Sequence, residues 1–392
     1  MKIVVTGIGI VSALGIGVDE NISKLRKNSS GISLCPEILK TGNKIPVGEI
    51  KLTNDELKLK LGLDGSKTVS RTALLGMLAA KEALEDAGLD DRKKVGIVSS
   101  TSVGGMDLTE IFFREFIRDE RKGRLRNVRM HDCGASTEAI AEYCGIEGYR
   151  TTISTACSSA ANAIIHGVRL LKHRVLDAVL VGGTDSLSAF TLNGFKSLMI
   201  LDDALCRPFD NSRAGLNLGE GAGYLLLQRE EDCSGDYYCS ILGYSNRNDA
   251  FHQTASSENG EGAYLSMKEA VDISGLSLDS INYINVHGTG TCNNDMSEGI
   301  AMKRLFGDIV PMFSSTKVYT GHTLAAAGGI EAVFSVLSVS KGYVYSTFNF
   351  KSPIEGLDIS PCTEFTINSN IKNVLSNSFG FGGNCSSILF SR

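Results

Sequence analysis

The sequence lacks an excess of basic residues and has little proline. Its 392 residues include 39 Lys and Arg against 44 Asp and Glu, which gives a formal net charge of −5 at pH 7. A nucleic-acid-binding protein usually carries a basic footprint, so this balance argues against nucleic acid as a partner. Only 6 prolines accompany 43 glycines, and this ratio favours tight turns between strands and helices over flexible linkers.

Paired cysteines, zinc-ligand spacings and targeting segments are also missing. The 10 cysteines stand singly, without a C-x-x-C pair or a paired Cys/His spacing, so we expect neither a zinc site nor a disulfide framework. The apolar N-terminal stretch MKIVVTGIGIVSALG is interrupted by glycines, is too short to span a bilayer and has no secretory cleavage site. We therefore expect a reduced, cytoplasmic protein without a membrane span.

Strand-like and helix-like segments alternate along the chain, which predicts an α/β fold. Residues 71–88, for example, have the apolar periodicity of a helix that ends at a glycine. A weak internal repeat relates STACSSAANAIIHGVRLLKH to YTGHTLAAAGGIEAVFSVLSVSKG (319–342). We therefore predict two similar halves, residues 1–235 and 236–392, joined into one tightly packed unit.

Cys157 is the first candidate for chemistry, because it lies among small residues directly before a predicted Ala-rich helix. The unpaired N–H groups and the positive dipole end of a helix favour a thiolate, so we predict a lowered pKa for this thiol. The small neighbours leave room for a substrate to reach the sulfur. Most cysteines are inert core residues, and position alone leaves that alternative open.

Two of the 6 histidines lie in glycine- and threonine-rich loops that follow apolar, strand-like runs. His287 is in NVHGTGTCNND and His322 is in KVYTGHTLAAAGG. One such cysteine with two such histidines indicates a thiol acyl-transfer site, because loops at strand ends carry function in α/β folds. The glycines around Phe381 in NSFGFGGNCSSILF let backbone N–H groups approach a ligand closely, as an oxyanion hole requires.

Taken together, these motifs resemble those of the β-ketoacyl–acyl-carrier-protein synthases, the condensing-enzyme branch of the thiolase superfamily, and especially the type II elongating synthases. TACSSA, RPFDNSRAGLNLGEGAG, HGTGT, GHTLAAAGGIEA and SNSFGFGG occur in the family's order along essentially the whole chain. The resemblance implies a thiolase fold, a five-layer αβαβα sandwich of two similar halves. It implies no cofactor, although Glu331 and Asn294 resemble residues that bind a structural monovalent cation in some members.

The resemblance also implies an acyltransferase, a 3-oxoacyl-[acyl-carrier-protein] synthase. Cys157 is the implied nucleophile that holds the acyl group. Neutral His287 and His322 are implied to stabilise the enolate that forms when malonyl carrier loses carbon dioxide, in a decarboxylative Claisen condensation. Lys317 matches the lysine that lies near the second histidine in the family. Glu331 matches the buried acid that organises the site. The product is a β-ketoacyl carrier in fatty acid, polyene or polyketide elongation.

Further implied roles concern the binding of substrate. Phe381 is implied as a gate, and its backbone N–H is implied to join that of Cys157 in the oxyanion hole. Thr289 and Thr291 are implied to hydrogen-bond the pantetheine arm of the substrate. Val103 matches a position at which the family lines its acyl pocket.

The implied partner is an acyl carrier protein that bears an acyl or malonyl phosphopantetheine. Carrier proteins are acidic, so docking on a net-negative chain needs a local basic patch. We predict this patch in the basic run around Lys122, Arg124 and Arg126, with Lys67 and Arg71 beside it. A plain solvated helix face is the alternative for the run.

The family implies a dimer, either of two identical chains or with a related subunit. The short 184–206 region contains GFKSLMILD, which resembles synthases of aryl-polyene or related pigment pathways that often work with a catalytically inactive partner. Two other functions stay open. A thiolase-like acyltransferase would use Cys385 as a second reactive cysteine, and an acyl-binding partner subunit would need no nucleophile, although the retained Cys157 argues against the latter.

Overall fold

Helices and strands alternate along most of the chain, in agreement with the predicted α/β class. The computed structural model describes residues 1–34, 36–39, 44–89 and 95–392. The strands are Ile3–Ser12 (β1), Gly15–Ile16 (β2), Val47–Gly48 (β3), Val95–Ser100 (β4), Arg150–Ile153 (β5), Ala178–Asp185 (β6), Leu218–Gly219 (β7), Gly221–Arg229 (β8), Cys239–Asn248 (β9), Tyr283–Asn285 (β10), Met312–Ser314 (β11), Tyr343–Val344 (β12), Thr366–Ile367 (β13), Asn373–Gly380 (β14) and Asn384–Ser391 (β15). The helices are Val18–Arg26 (α1), Asn54–Lys60 (α2), Arg71–Asp86 (α3), Met106–Arg118 (α4), Leu125–Val128 (α5), Cys133–Cys144 (α6), Ser159–Lys172 (α7), Ala189–Ser197 (α8), Glu261–Ser274 (α9), Cys292–Phe306 (α10), Lys317–Thr320 (α11) and Ala327–Lys341 (α12).

The main sheet is mixed, with 11 strands in the order β11-β10-β14-β15-β9-β1-β8-β6-β4-β5 and with β2 paired to β1. The three strands at each end of this order are parallel to one another, whereas the strands between them pair antiparallel. The antiparallel pairing of β1 with β9 joins two groups of five strands. One group comes from residues before the end of β8, and the other comes from β9 onwards.

Helices and strands are stacked in five layers. α7 and α12 contact each other, and each contacts strands of both groups, so they form the central layer. α3 and α6 pack on the first group, and α9 packs on the second with α10 against it. Alternate side chains of β6 point to opposite faces of the sheet. Val179 and Val181 pack in one apolar core with residues of α7 and α12, whereas Leu180 packs in another with residues of α3. The predicted five-layer arrangement is confirmed.

The most hydrophobic helix lies inside this stack. Within the described part of the chain, Leu324–Lys341 is the one segment with the length and hydropathy to cross a bilayer, and 89% of it is buried in the fold. Its hydrophobicity is therefore explained by its place between the two groups of strands.

The strand ends determine where the loops open. Cys157 follows β5, His287 follows β10, and His322 follows β11 and α11. β10 and β11 are parallel neighbours, so the loops of His287 and His322 open on the same side. Cys157 comes from the other group of strands and lies on the turn before α7, which packs against α12 in the central layer. The packing of the two groups thereby brings together loops that are far apart in the sequence.

Candidate active site

Cys157, His287 and His322 meet in one cavity of about 360 Å³. Their side chains are almost completely buried, with exposed fractions of 6%, 2% and 2%. The thiol and the two imidazoles are therefore shielded from bulk solvent. Among the predicted substrate residues, those that also line it are Thr289, Thr291 and Phe381.

Cys157 lies on a sharp turn between β5 and α7. Ala156, directly before it, has a φ of 52°, a left-handed conformation that non-glycine residues rarely adopt. The N–H groups of Cys157 and Phe381 both favour the charged form of the Cys157 sulfur. Backbone donors beside the nucleophile are the groups from which an oxyanion hole for its acyl carbonyl oxygen can be built. Gly380 allows the close approach, because a Cβ there would lie 2.8 Å from the Thr155 carbonyl oxygen.

The prediction of a lowered pKa for Cys157 is wrong. Burial raises the pKa of this thiol to about 11, against the opposing effects of the Lys317 ammonium and the Phe381 N–H, and the Asp185 carboxylate raises it further. Removal of water from a charged sulfur therefore outweighs the donors that surround it. The thiol of the free protein is protonated at neutral pH.

The two imidazoles are neutral and have defined tautomers. The Leu324 N–H donates to Nδ1 of His322 at 3.2 Å, and the Lys317 ammonium approaches Nδ1 of His287 at 3.4 Å. A neutral ring that accepts at Nδ1 carries its proton on Nε2, so each histidine has one N–H to donate. Burial and the charge of Lys317 hold the pKa of both rings well below the usual value.

Lys317 and Glu331 lie behind His287 and do not line the cavity. The Lys317 ammonium donates to the His287 carbonyl oxygen at 2.7 Å and to the Glu331 carboxylate. Burial raises the pKa of Glu331 to about 7, although the neighbouring Lys317 opposes the rise. Both side chains are 2% exposed, so this ion pair supports the His287 loop from within the core.

Two further carboxylates hold the same loop, and the sequence analysis missed them. Glu298 accepts the N–H groups of His287 and Gly288, both at 2.9 Å, and Asp295 accepts the N–H of Thr289 at 3.0 Å. They are three residues apart on α10, which places them on one side of the helix. The sequence signal that could have identified Asp295 and Glu298 was their position four and seven residues after the HGTGT motif (287–291). Burial raises the pKa of Glu298 to about 7.

A second loop supports the glycine-rich turn around Phe381. The Gln253 carbonyl oxygen accepts the Gly382 N–H at 2.7 Å, and the Asp249 N–H donates to the Gly383 carbonyl oxygen at 2.8 Å. The Phe381 ring stacks on another ring at 5.9 Å between centroids, that of Phe195 on α8. The stretch NDAFHQTASSENG, which forms the supporting loop, has no periodicity or known motif that would have identified it.

Val103 lies beside the cavity and not on its wall. It is 9% exposed and belongs to an apolar cluster that includes Leu216 and Leu324, with Phe195 and Ile200 packed against it. Leu216, Phe195 and Ile200 also line the cavity. The cluster is therefore continuous with the catalytic cavity through shared side chains.

Lys122, Arg124 and Arg126 are exposed between α4 and α5 or on α5 itself. Lys67 is exposed as well and lies 3.6 Å from the Glu142 carboxylate. The predicted place of Arg71 in this patch is wrong. Its side chain is buried, and its guanidinium bonds both carboxylate oxygens of Glu220 at 2.6 and 2.8 Å, so it has no charge to offer a partner.

The adjacent helix α4 is not a plain solvated face. Ile111, Phe113, Phe116 and Ile117 are exposed on it, with fractions from 37% to 71%. Exposed apolar side chains grouped in this way are typical of a surface that another protein covers.

The comparison with known families decides the class of this site. Residues 1–233 match the family model described as "Beta-ketoacyl synthase, N-terminal domain", and residues 238–351 match "Beta-ketoacyl synthase, C-terminal domain". The chain belongs to the beta-ketoacyl synthase family. The predicted reaction class is thereby confirmed: the protein is an acyltransferase that carries out a Claisen condensation in chain elongation.

Curated relatives agree over the full length of the synthase. The chain is 30% identical over 409 residues to 3-oxoacyl-[acyl-carrier-protein] synthase 2 of Staphylococcus aureus strain MRSA252, covering 100% of this chain and 98% of that protein. It is also 30% identical over 422 residues to the synthase of the same name from Vibrio cholerae, covering 100% and 99%.

Solved structures share the fold. The ishigamide ketosynthase/chain length factor has a TM-score of 0.91 at 26% identity and covers 100% of this chain and 98% of its own. A ketosynthase from Xenorhabdus doucetiae, solved in complex with its chain length factor, has a TM-score of 0.85 at 31% identity with the same coverage. A type II ketosynthase solved with its acyl-carrier protein has a TM-score of 0.89 at 25% identity, covering 100% and 99%.

Cys385, the second cysteine of the thiolase alternative, lines the same cavity. Burial raises the pKa of its thiol far above the usual range, and the Asp249 carboxylate adds to the rise. The family match, and not the chemistry of this thiol, decides between the two alternatives: the chain is a synthase.

Proposed function

We propose that this synthase condenses an acyl group held on Cys157 with malonyl-acyl carrier protein and releases a β-ketoacyl carrier and carbon dioxide. One observation carries the proposal. The Cys157 thiol, on the turn before α7, shares a buried cavity with two neutral imidazoles, His287 and His322, whose Nε2–H groups are available as donors.

The first half-reaction loads the enzyme. The Cys157 sulfur bonds to the acyl carbonyl carbon while the carbon–sulfur bond to the carrier breaks, and the thiol proton passes to the departing carrier thiolate. The N–H groups of Cys157 and Phe381 stabilise the oxyanion of the intermediate. Burial raises the pKa of the thiol, which favours loss of its proton during the attack.

The second half-reaction forms the new carbon–carbon bond. The bond between the malonyl carboxylate and its α-carbon breaks, carbon dioxide leaves, and His287 and His322 donate to the enolate oxygen that remains. The α-carbon then attacks the acyl-Cys157 carbonyl, and the carbon–sulfur bond to the enzyme breaks. The Cys157 thiolate that leaves takes up one proton from solvent and restores the thiol. Neutral donors suit this step because they stabilise the enolate oxygen without protonating the carbon that must react.

We also propose a monovalent cation at Glu331, as the resemblance implies. The Oε2 atom of Glu331 is buried and has no hydrogen-bond partner in the described structure, so it could act as one oxygen ligand. Asn294 fits less well. It lies on the cavity wall and donates to Asp295 Oδ1 at 3.1 Å, whereas Glu331 lies behind His287. No step of the reaction above uses the ion.

An acyl carrier protein is the proposed partner, and its docking surface includes Lys122, Arg124 and Arg126. Their exposure supports docking, and a type II ketosynthase of similar structure was solved with its own acyl-carrier protein. Acidic carriers are attracted to such a patch even on a net-negative protein, because local potential steers encounter.

A dimer is the proposed assembly, formed with an identical or a related subunit. β5 is the last strand in the order of the main sheet, and its outer edge has backbone groups free to pair with another chain. Two similar structures are ketosynthases described with chain length factors, which supports a related subunit. We propose a cytoplasmic location, supported by the 9 described cysteines, all of them free thiols.

The proposal is tested by following each half-reaction separately. Intact-protein mass spectrometry after incubation with acyl carriers should find one acyl group on the protein and none on a Cys157→Ala variant. The same variant should still release labelled carbon dioxide from malonyl carrier, because the two histidines remain. Cys385→Ala serves as the matched control and should be acylated as the unmodified protein is. A protein that accepts no acyl group from any carrier would contradict the proposal.

A further inference from the structure

Asp185 is a completely buried carboxylate at the end of β6, and the reaction described above does not use it. Its exposed fraction is 0%. Among the described residues, no cationic side chain lies within 4.0 Å of it, and its hydrogen bonds come from neutral donors only. A buried charge held in this way costs free energy, so the bonds that it makes require an explanation.

Those bonds join two separate loops. One oxygen, Oδ1, accepts the N–H groups of Ser102 and Val103 at 3.0 and 3.2 Å, together with the Thr101 hydroxyl. The other, Oδ2, accepts the Ser102 hydroxyl at 2.6 Å and the Ala325 N–H at 2.8 Å. The carboxylate therefore ties the loop of Val103 to the loop that follows His322.

Leu324 transmits this contact to His322. Its φ is 54°, a strained conformation for a leucine that the surrounding bonds must hold. Its N–H donates to Nδ1 of His322 at 3.2 Å, and its side chain packs in the same apolar cluster as Val103. The next N–H along the chain, that of Ala325, is the one that Asp185 accepts.

We propose that Asp185 is a positioning residue for His322: it holds the strained Leu324–Ala325 backbone that orients the imidazole, and it fixes that backbone to the loop of Val103. This inference rests on the proposed function. His322 serves the malonyl half-reaction, whereas acyl transfer to Cys157 depends on the oxyanion hole. Loss of the Asp185 carboxylate should therefore impair decarboxylation more than acylation.

The test compares Asp185→Asn with a matched control. Asparagine has one acceptor oxygen, so it can accept from the Val103 N–H, as Oδ1 does, or from the Ala325 N–H, as Oδ2 does, but not from both. Asp210→Asn is the control, because Asp210 is also 0% exposed and also accepts backbone N–H groups, those of Lys351 at 2.6 Å and Ser352 at 3.0 Å, outside the cavity. Release of carbon dioxide from malonyl carrier and acylation of Cys157 are measured for both variants.

The rate of decarboxylation, read together with the rate of acylation, decides the question. In Asp185→Asn, decarboxylation itself should fall by about tenfold or more from that of the unmodified protein, because small displacements of a donor cost rate steeply. Acylation should not fall with it, since the lost carboxylate is one that raises the pKa of Cys157. In Asp210→Asn the ratio should stay as in the unmodified protein. Equal losses in both steps for Asp185→Asn, or an unchanged ratio, would overturn the inference. An unmodified protein that performs neither step would instead contradict the proposed function.

A milder variant keeps the test decisive if Asp185→Asn does not fold, as judged by circular dichroism. The double variant Thr101→Val with Ser102→Ala keeps the carboxylate but removes two of its hydroxyl donors. This variant keeps the Asp185 carboxylate and its bond to the Ala325 N–H, but holds the carboxylate less firmly. The ratio of decarboxylation to acylation should therefore fall by a smaller factor than in Asp185→Asn, about threefold. An unchanged ratio in this folded variant would likewise overturn the inference.

Discussion

The imidazole rings of His287 and His322 lie nearly perpendicular, at 86°, with their centroids 5.3 Å apart. Their side chains come from loops after different strands, and each has its Nδ1 occupied by a donor. Two Nε2–H groups held so close together can reach one acceptor oxygen from two directions. That arrangement suits an enolate oxygen, whose negative charge develops only as carbon dioxide leaves.

Removal of one imidazole should therefore separate the half-reactions. In His322→Ala, release of carbon dioxide from malonyl carrier should fall by about 100-fold or more, as expected for a lost oxyanion donor. Acylation of Cys157 should survive in part, because the N–H groups of Cys157 and Phe381 remain. Labelled malonyl carrier and intact-protein mass spectrometry measure the two steps. Loss of acylation as large as the loss of decarboxylation would show that the roles are assigned wrongly.

Lys317 should control the acid side of the pH profile. Burial lowers the pKa of both imidazoles, and the Lys317 charge lowers it further, so both rings stay neutral donors at pH values well below their usual pKa. In Lys317→Met the imidazoles should protonate at a higher pH than in the unmodified protein, and decarboxylation should begin to fall at a correspondingly higher pH. The measurement is the rate of carbon dioxide release between pH 5 and pH 8.

The control for Lys317→Met is the double variant Lys317→Met with Glu331→Gln. Without the Lys317 charge the pKa of Glu331, about 7 in the unmodified protein, rises further, so the single variant leaves a buried, protonated carboxyl group without its partner, which costs about 1–3 kcal/mol of stability. The double variant removes both charges and should unfold at a higher temperature than the single one, yet keep the shifted pH profile. A profile that returns to that of the unmodified protein in the double variant would contradict the role given to the Lys317 charge.

The sequence was most informative where each functional side chain lies in its own short motif. Cys157, His287 and His322 were all predicted, because each lies in a short motif of small residues at a strand end, and loops at strand ends carry function in α/β folds. The five-layer fold followed from the family resemblance and agreed with the internal repeat. The division at residue 235 and the role of Val103 stay predictions.

The errors concern properties that distant parts of the chain decide together. The pKa of Cys157 depends on burial and on Lys317, 160 positions along the chain, and no local motif shows how much water the fold removes. Arg71 was placed at the surface from its basic neighbours, but its partner Glu220 is 149 residues away. Asp185 was missed for the same reason, since one of its donors, Ala325, is 140 residues away.

The raised pKa of Cys157 predicts how the free protein reacts with iodoacetamide. Only the thiolate is alkylated, so the rate at Cys157 should keep rising with pH through pH 9 and beyond. Cys292 is exposed and would compete, so the experiment uses a Cys292→Ser background and locates the label by mass spectrometry. A rate at Cys157 that reaches its plateau below pH 8 would show that the donors around the sulfur outweigh its burial.

The proposed docking surface predicts a defect that depends on the carrier. The double variant Lys122→Glu with Arg126→Glu replaces two positive charges with negative ones, so this surface should repel an acidic carrier that it attracted before. The KM for acyl carrier substrates should therefore rise about tenfold at low salt, and KM should depend less on the salt concentration. The kcat should change little, because neither side chain lines the cavity.

Lys268→Glu with Lys372→Glu is the matched control, since it reverses two exposed charges on another surface, at α9 and before β14. This control should keep KM and its salt dependence close to those of the unmodified protein. If both double variants raise KM equally, net charge and not this surface governs the encounter, and the carrier docks elsewhere.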